Sequence, residues 1–497
     1  MAVGLRHWFR GDPLAAGHRP WPRWELSRAR WEELRDHLPG ADWSLLGLWA
    51  EPSAVHAAFR DDSDGAIGVV SLACPERRFP SLSTVRPSAI RLERTAQDLY
   101  GLVAEGLIDG RPWLDHGRFP AGHSPRRDPA PYDFLPADGK ELHQIPVGPV
   151  HAGIIEPGHF RFHANGETVA RLEVRLGYVH KGVERLMAGK LVLDAARLAA
   201  RLSGDSTVAH SLAFARAVEA ALEIDAPPRA AWLRAVMAEL ERMANHFGDI
   251  GAIANDASFT LIHAHSNVMR EKVLRASDAC FGHRLMMDRI VPGGVAVDLR
   301  AGHAAQLQAL MRELRRHFED VVAAYDNKPS LLDRTLTTGI VDTTLVHRFA
   351  PGGFVGRASG RGFDARRSPS YPPYDALSFE VPVRTEGDVH ARLWIRIDEA
   401  RQSMALVENL CAGLPGGRLN TALPTVAGEG MALVESFRGE IMTWVRLNAD
   451  GTVARCHPRD PSWFQWPLLE AAIADNIVAD FPLCNKSFNC SYSGHDL

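Results

Sequence analysis

Two short segments of this chain gather side chains able to do chemistry at close spacing. Arg201-Leu202-Ser203-Gly204-Asp205-Ser206-Thr207-Val208-Ala209-His210 offers two hydroxyls, a carboxylate and an imidazole. Asn489-Cys490-Ser491-Tyr492-Ser493-Gly494-His495-Asp496-Leu497 offers a thiol, hydroxyls and a second imidazole. Soft metals such as nickel and low-spin iron prefer thiolates, and hydroxyls of very high pKa are poor substitutes. One thiolate, Cys490, together with His495 would hold at most a labile zinc-type ion. The expectation is a polar, hydrogen-bonded cavity lined by Ser203, Ser206, His210 and Ser493, with Asp205 and water inside it. Glu184 sits among His180, Lys181 and Arg185, and it is expected to pair with one of these on a helix's first turn. Glu156, His151, His159 and His163 add titratable groups upstream, and with Asp205 they form a candidate buried polar chain. Arg366 follows Asp364. It either pairs with that carboxylate or presents its fork to a bicarbonate-like anion.

The elements that must position these groups fall into two blocks. Trp43–Ala50 and Ala66–Leu72 read as buried strands, and a helix is expected over Ser88–Leu107. Residues 118–141 are dense in Pro and charge and read as a linker. Beyond them, alternating runs between Gly148 and Arg175 suit a hairpin-rich sheet. The pattern turns helical from Gly182 to Arg289, with apolar residues at three- and four-residue spacing. Further helices are expected at Ala304–Asn327, Asp398–Ala412 and Trp466–Ala474. Met442–Leu447, followed by Asn448-Ala449-Asp450-Gly451, reads as one arm of a hairpin. The expected organisation is α+β. A small mixed α/β domain covers 1–117, a linker 118–141, and a large helix-bundle-rich domain with a flanking antiparallel sheet 142–497.

With 497 residues, 46% hydrophobic and 23% charged, the chain has material for a sizeable core in more than one domain. A net charge of −4 gives no electrostatic case for nucleic acid. No run approaches the roughly 18 apolar residues of a membrane span, and no signal peptide is indicated. The six cysteines form no Cys-x-x-Cys pair, so buried thiols are expected rather than a disulfide framework or a cluster held by this chain alone.

Landmarks along the chain carry a family resemblance. Arg91-Leu92-Glu93-Arg94, with Asp98 and Gly101 after it, resembles the signature of the 30 kDa subunit of respiratory complex I. From Gly148-Pro149-Val150-His151 and Glu156-Pro157 onward, the chain resembles the complex I 49 kDa subunit and the large subunit of group 4 NiFe-hydrogenases. Tyr178-Val179-His180-Lys181-Gly182, Arg270-Glu271-Lys272, Pro292-Gly293-Gly294, Gly356-Arg357, Gly387-Asp388 and Gly439-Glu440 follow in the family's order. Fusion of the two parts resembles the formate hydrogenlyase and hydrogenase-4 branch.

The resemblance implies that Ser203, Ser206, Cys490 and Ser493 stand where four Cys would hold nickel and iron. It implies that Glu156, with His151 and Asp205, belongs to a proton path, and that Glu184 and His495 match a magnesium or iron position. It also places an Arg near Asp364 and Arg366 over the metal. The quinone-binding His and Tyr of the 49 kDa subunit align with Ile155 and Gly204, which leaves a quinone headgroup without its donors. The implied role is a component of a membrane-associated, complex I-related assembly that holds no NiFe centre. That component would act in scaffolding, electron-transfer coupling or proton coupling. The implied partners are a small subunit carrying iron–sulfur clusters and proton- or ion-translocating membrane subunits, with the chain peripheral on the cytoplasmic side. A quinone-type oxidoreductase subunit with a repurposed cavity, and a bicarbonate-like anion-binding subunit, remain as alternatives.

Overall fold

A computed structural model describes residues 4–117, 119, 132–137, 139, 141–151 and 155–497. Most of the stretch expected as a linker lies outside the described residues. The N-terminal region builds a mixed four-stranded sheet in the order Arg23–Leu26, Ile67–Ala73, Ala54–Asp61, Trp43–Glu51. The first pair is parallel and the others antiparallel. The helix Ile90–Tyr100 packs on the strand Trp43–Glu51. It is shorter than expected because Gly101 takes a left-handed conformation (φ 66°), and a short strand, Val103–Glu105, uses the residues beyond.

The resemblance to the 30 kDa signature has a physical basis in buried hydrogen bonds. One oxygen of Asp98 accepts from the backbone N–H groups of Trp113 (2.6 Å), Leu114 (2.9 Å) and Asp115 (3.3 Å). Arg94 donates to the carbonyls of Arg111 and Pro112 and pairs with Asp109 at 2.9 Å. Glu93 accepts from Ser81 Oγ and Leu82 N, both at 2.6 Å, and burial pushes its carboxyl up to about 7. The signature helix thus ties down the turn at 109–115.

Beyond residue 142, the strands His143–Val147, His159–Asn165 and Thr168–Arg175 form the expected antiparallel sheet. The helices Pro228–Asp256, Thr260–Phe281, His303–Asp326 and Val389–Ala412 pack side by side as a bundle. Pro228 sits in the first turn of its helix, where a missing N–H costs nothing. Val389–Ala412 starts nine residues before the expected Asp398, because the Asp388 carboxylate caps it by accepting from Ala391 N at 2.7 Å. The hairpin expected around Met442 is Glu440–Leu447 with Val453–Arg459, and Gly428–Glu435 pairs on its other side. The last expected helix runs Ser462–Ala472.

The helix Thr207–Ala221 crosses this sheet at very short range. A Cβ at Gly430 would meet Ala217 O at 2.2 Å, and one at Gly428 would meet Ala221 O at 2.0 Å. Close approach therefore demands glycine at both positions. Strand His18–Arg19 joins the same sheet from the N-terminal side. Both hydrophobic clusters draw residues from either side of 118–141, so the two blocks share their core.

The Asp98 geometry generates a prediction. Asp98→Ala leaves three buried N–H groups without their acceptor. At ~1 kcal/mol or more per orphaned donor, unfolding free energy falls by about 3 kcal/mol. A lower urea midpoint, read by tryptophan fluorescence, checks this.

Candidate functional site

The two segments singled out by their chemistry meet at a cavity of about 350 Å³. Its lining includes Glu156, Ser203, Asp205, Arg438, Cys490 and Ser493. Ser203 Oγ donates to Asp205 Oδ1 at 2.8 Å and lies 2.8 Å from Ser491 Oγ. Since Ser203 donates to Asp205, Ser491 donates to Ser203. Ser491 also caps the last helix, Tyr492–Asp496, by accepting from Gly494 N at 2.9 Å. The C-terminal segment is thereby folded against residues 203–206, as expected. Cys490 is buried, with Sγ 4.0 Å from Gln465 Oε1, and burial raises its thiol pKa. Ser493 offers its backbone N–H to Glu156 at 2.9 Å. Glu156 itself is exposed, at the mouth.

Arg438 closes the cavity from the far side. Its guanidinium grips Asp205 through both terminal nitrogens, Nη1 to Oδ1 at 3.0 Å and Nη2 to Oδ2, while Nε donates to Asn489 O. Burial raises the Asp205 pKa, but Arg438 and Ser203 outweigh it and hold the carboxyl below its ordinary value. Arg438 was not among the candidates expected from sequence. Its signal was present in Phe437-Arg438-Gly439-Glu440, where only Gly439-Glu440 served as a landmark. The turn is held by crowding. A Cβ on Gly353 would lie 1.8 Å from Arg438 O, and Gly353 has φ +64°. Gln465 Nε2 also donates to Arg438 O at 2.7 Å.

The other candidates lie elsewhere. Of the two expectations for Arg366, pairing with Asp364 is the one observed: it is buried against Asp364 (2.7 Å) and Glu239 (3.0 Å), and it does not line the cavity. His210 pairs with Asp460 at 3.1 Å, both fully buried. Ser206 is buried beside the 203–205 turn, its hydroxyl without a partner among the described residues. His151 is half-buried, with Nδ1 3.2 Å from Pro149 O and its ring 6.3 Å from that of Tyr492. His495 is buried, 2.9 Å from Asp496, with its ring stacked on Trp463 at 4.1 Å. Glu184 is fully engaged by Arg455 (2.9 Å), His457 (2.6 Å) and Tyr100 (3.2 Å). Glu184 and His495 thus bond to different partners, and neither lines the cavity that holds Cys490. Among the described residues no group of three or more His, Cys, Asp or Glu converges as a metal site. All six cysteines are free and buried.

Glu184 generates a pH prediction. Burial raises its pKa, but Arg455 and His457 overcome this and hold it at about 2. A depressed carboxylate contributes stability above its unfolded pKa of about 4.3 and loses it as pH falls through the folded value. The contribution is on the order of 3 kcal/mol, lost between about pH 5 and 2. Glu184→Gln should therefore be less stable at pH 7, with a shallower loss over that window. Urea midpoints measured from pH 7 to 2 check both parts.

Three family models match successive parts of the chain. Residues 58–133 match the respiratory-chain NADH dehydrogenase 30 kDa subunit, 181–248 the nickel-dependent hydrogenases, and 249–428 the NADH dehydrogenase 49 kDa subunit. The chain is 29% identical to formate hydrogenlyase subunit 5 of Escherichia coli K12, over 84% of this chain and 77% of that protein. It is 30% identical to the carbon monoxide-induced hydrogenase of Rhodospirillum rubrum, over 69% of this chain and 96% of that one. It is 31% identical to an NADH-quinone oxidoreductase subunit of Roseiflexus sp. RS-1, over 68% of this chain and 94% of that one.

Proposed function

Because the chain belongs to the family that unites the complex I 49 kDa subunit with nickel-dependent hydrogenases, we propose that it is a coupling subunit of a membrane-associated oxidoreductase assembly and carries no nickel–iron centre. Its relatives' names point to multisubunit hydrogenase and NADH–quinone systems. Partners of the same kind are proposed here: a small subunit with iron–sulfur clusters, and ion-translocating subunits in the membrane.

The observation that carries this reading is the bonding inside the serine-lined cavity. Where a nickel–iron group would need four converging thiolates, three positions are hydroxyls and the remaining thiol, Cys490, is buried with a raised pKa. The Ser203 hydroxyl is engaged by Asp205 and Ser491, and the Asp205 carboxylate by Arg438. These residues do not fit the metal group, since hydroxyls are poor donors to soft metals. They do fit a polar relay. Glu156 at the mouth is in reach of solvent, and the hydrogen-bonded chain Ser491–Ser203–Asp205 lines the same cavity. Glu156 takes up and releases the proton on the solvent side, the hydroxyls offer both donor and acceptor, and Asp205, kept ionised by Arg438, accepts the Ser203 hydrogen bond and so orients that hydroxyl.

Two measurements test the proposal. Elemental analysis of the purified protein should find far less than one nickel per chain, with no infrared bands of metal-bound CO or cyanide. One nickel per chain with such bands overturns the reading. In the native host, Glu156→Gln should cut the ion-coupled activity of the assembled complex about 100-fold, at the lower end of general acid–base contributions. Cys490→Ser should leave it within about twofold, since side-chain changes away from reacting groups cost little of the barrier. The reverse pattern in fully assembled complex points to thiol or metal chemistry instead.

A further inference from the structure

A second cavity, of about 450 Å³, lies on the seam between the N-terminal sheet and residues 343–368. It is separate from the serine-lined cavity and shares no lining residue with it. Three guanidiniums line it, those of Arg60, Arg361 and Arg367, together with the hydroxyls of Ser44, Ser359 and Ser368.

The donors here exceed the acceptors. Arg361 makes two long hydrogen bonds among the described residues, to Pro351 O and Ser44 Oγ, both at 3.3 Å. Its nearest carboxylate, Asp62, is 3.7 Å away. Arg60 pairs with Asp62 and donates to Ser368 Oγ at 3.2 Å, but its Nε is buried without a partner among the described residues. Both guanidiniums lie over the ring of Phe363, at 4.8 Å for Arg60 and 4.6 Å for Arg361, so the ring fixes their planes. Arg367 is exposed and lies over Phe379 at 4.1 Å.

The lining also holds three carboxylates, Asp42, Asp62 and Asp364. Asp364 is already engaged by Arg366 and Arg357, and Asp42 is exposed. Asp62 is the carboxylate that lies within ion-pair distance of both Arg60 and Arg361. Burial lowers the pKa of Arg361, and Asp62 and Glu440 only partly offset it, which marks a positive charge short of compensation. Asp62 already occupies the seat between Arg60, Arg361 and Ser44. The chain's own carboxylate shows which kind of group the seat accepts.

We propose that this cavity binds a phosphate-type oxyanion, free or as the head of a small organic phosphate, between Arg60 and Arg361. Planar guanidinium forks match such oxygens with paired charge-assisted hydrogen bonds. Three guanidiniums and the hydroxyls beside them suit an anion with three or more acceptor oxygens better than a carboxylate with two. The volume leaves room for a small organic group attached to the head. Because the lining comes from both blocks of the chain, occupancy would also brace the seam between them.

The test is isothermal titration of the full chain with inorganic phosphate and, separately, with glycerol 3-phosphate, at ionic strength held constant with chloride. Binding with Kd near ~1 mM or tighter is expected for at least one of them. The tighter of the two identifies the free ion or the organic phosphate as the source. Arg361→Gln should weaken binding at least about tenfold, the loss expected for one charge-assisted contact. Asp62→Asn removes the competing carboxylate and should tighten binding by about tenfold. Circular dichroism and ligand-free melting confirm that each variant is folded. If Arg361→Gln does not fold, the Asp62→Asn arm decides alone, since its expected sign is opposite to that of general damage. No binding to either wild type or Asp62→Asn overturns the proposal. Unchanged affinity in folded Arg361→Gln also overturns it.

Discussion

A buried cluster of ion pairs sets the geometry on which the rest of the molecule depends. Arg357 contacts Glu399 (2.7 Å) and Glu435 (2.9 Å), and Arg366 contacts Asp364 (2.7 Å) and Glu239 (3.0 Å). Arg242 and His246 complete it from the helix Pro228–Asp256. Charges taken out of water are tolerated only where partners satisfy them in specific geometry. The cluster therefore locks two bundle helices, the Gly353–Arg357 turn and the sheet strand Gly428–Glu435 into one arrangement. Four carboxyls face three guanidiniums here. The imbalance falls on Glu435, which burial and then Asp364 push up to about 7, while Arg366 holds Asp364 at about 2.

That lock reaches the serine-lined cavity through three residues of backbone. Arg242 donates to the carbonyls of Glu435 (2.9 Å) and Ser436 (2.8 Å), which fixes the start of the turn that carries Arg438. Arg438 then has one direction open to it, toward Asp205. The cavity is polar and internally bonded because a rigid scaffold brings an Arg to the place where Ser203 and Ser491 already bond each other.

A second constraint joins the N-terminal sheet to the rest. Trp49, His56, Trp444 and His457 stack between two sheets at ring separations of 5.4 to 5.7 Å. At the edges of the stack, Glu51 accepts a hydrogen bond from His56 and Glu184 one from His457. Glu184 is consequently a seam residue: Oε2 accepts from Tyr100 of the first block, while Oε1 is held by His457 of its own block. Arg91, in the signature helix of the first block, also crosses the seam to Glu470 at 2.7 Å. The phosphate-seat residues Arg60 and Arg361 come from opposite sides of this same boundary.

The sequence by itself determined what depends on local order. Strand and helix periodicity and the hydroxyl-for-thiol identities at 203, 206 and 493 are properties of neighbouring residues. Helix starts were misplaced where the decisive bond is a cap, as at Asp388, or where a glycine ends the helix early, as at Gly101. Tertiary structure alone decided which charged side chains share a cavity. Arg366 and Arg438 are both Arg on short turns, and nothing in their spacing separates them. Arg366 is drawn inward by Asp364 and Glu239, the latter 127 residues away in sequence, and Arg438 outward to Asp205, 233 residues away. Ion pairing over such separations is set by the packed fold, because low-dielectric burial forces each charge to the partner that the scaffold puts within reach.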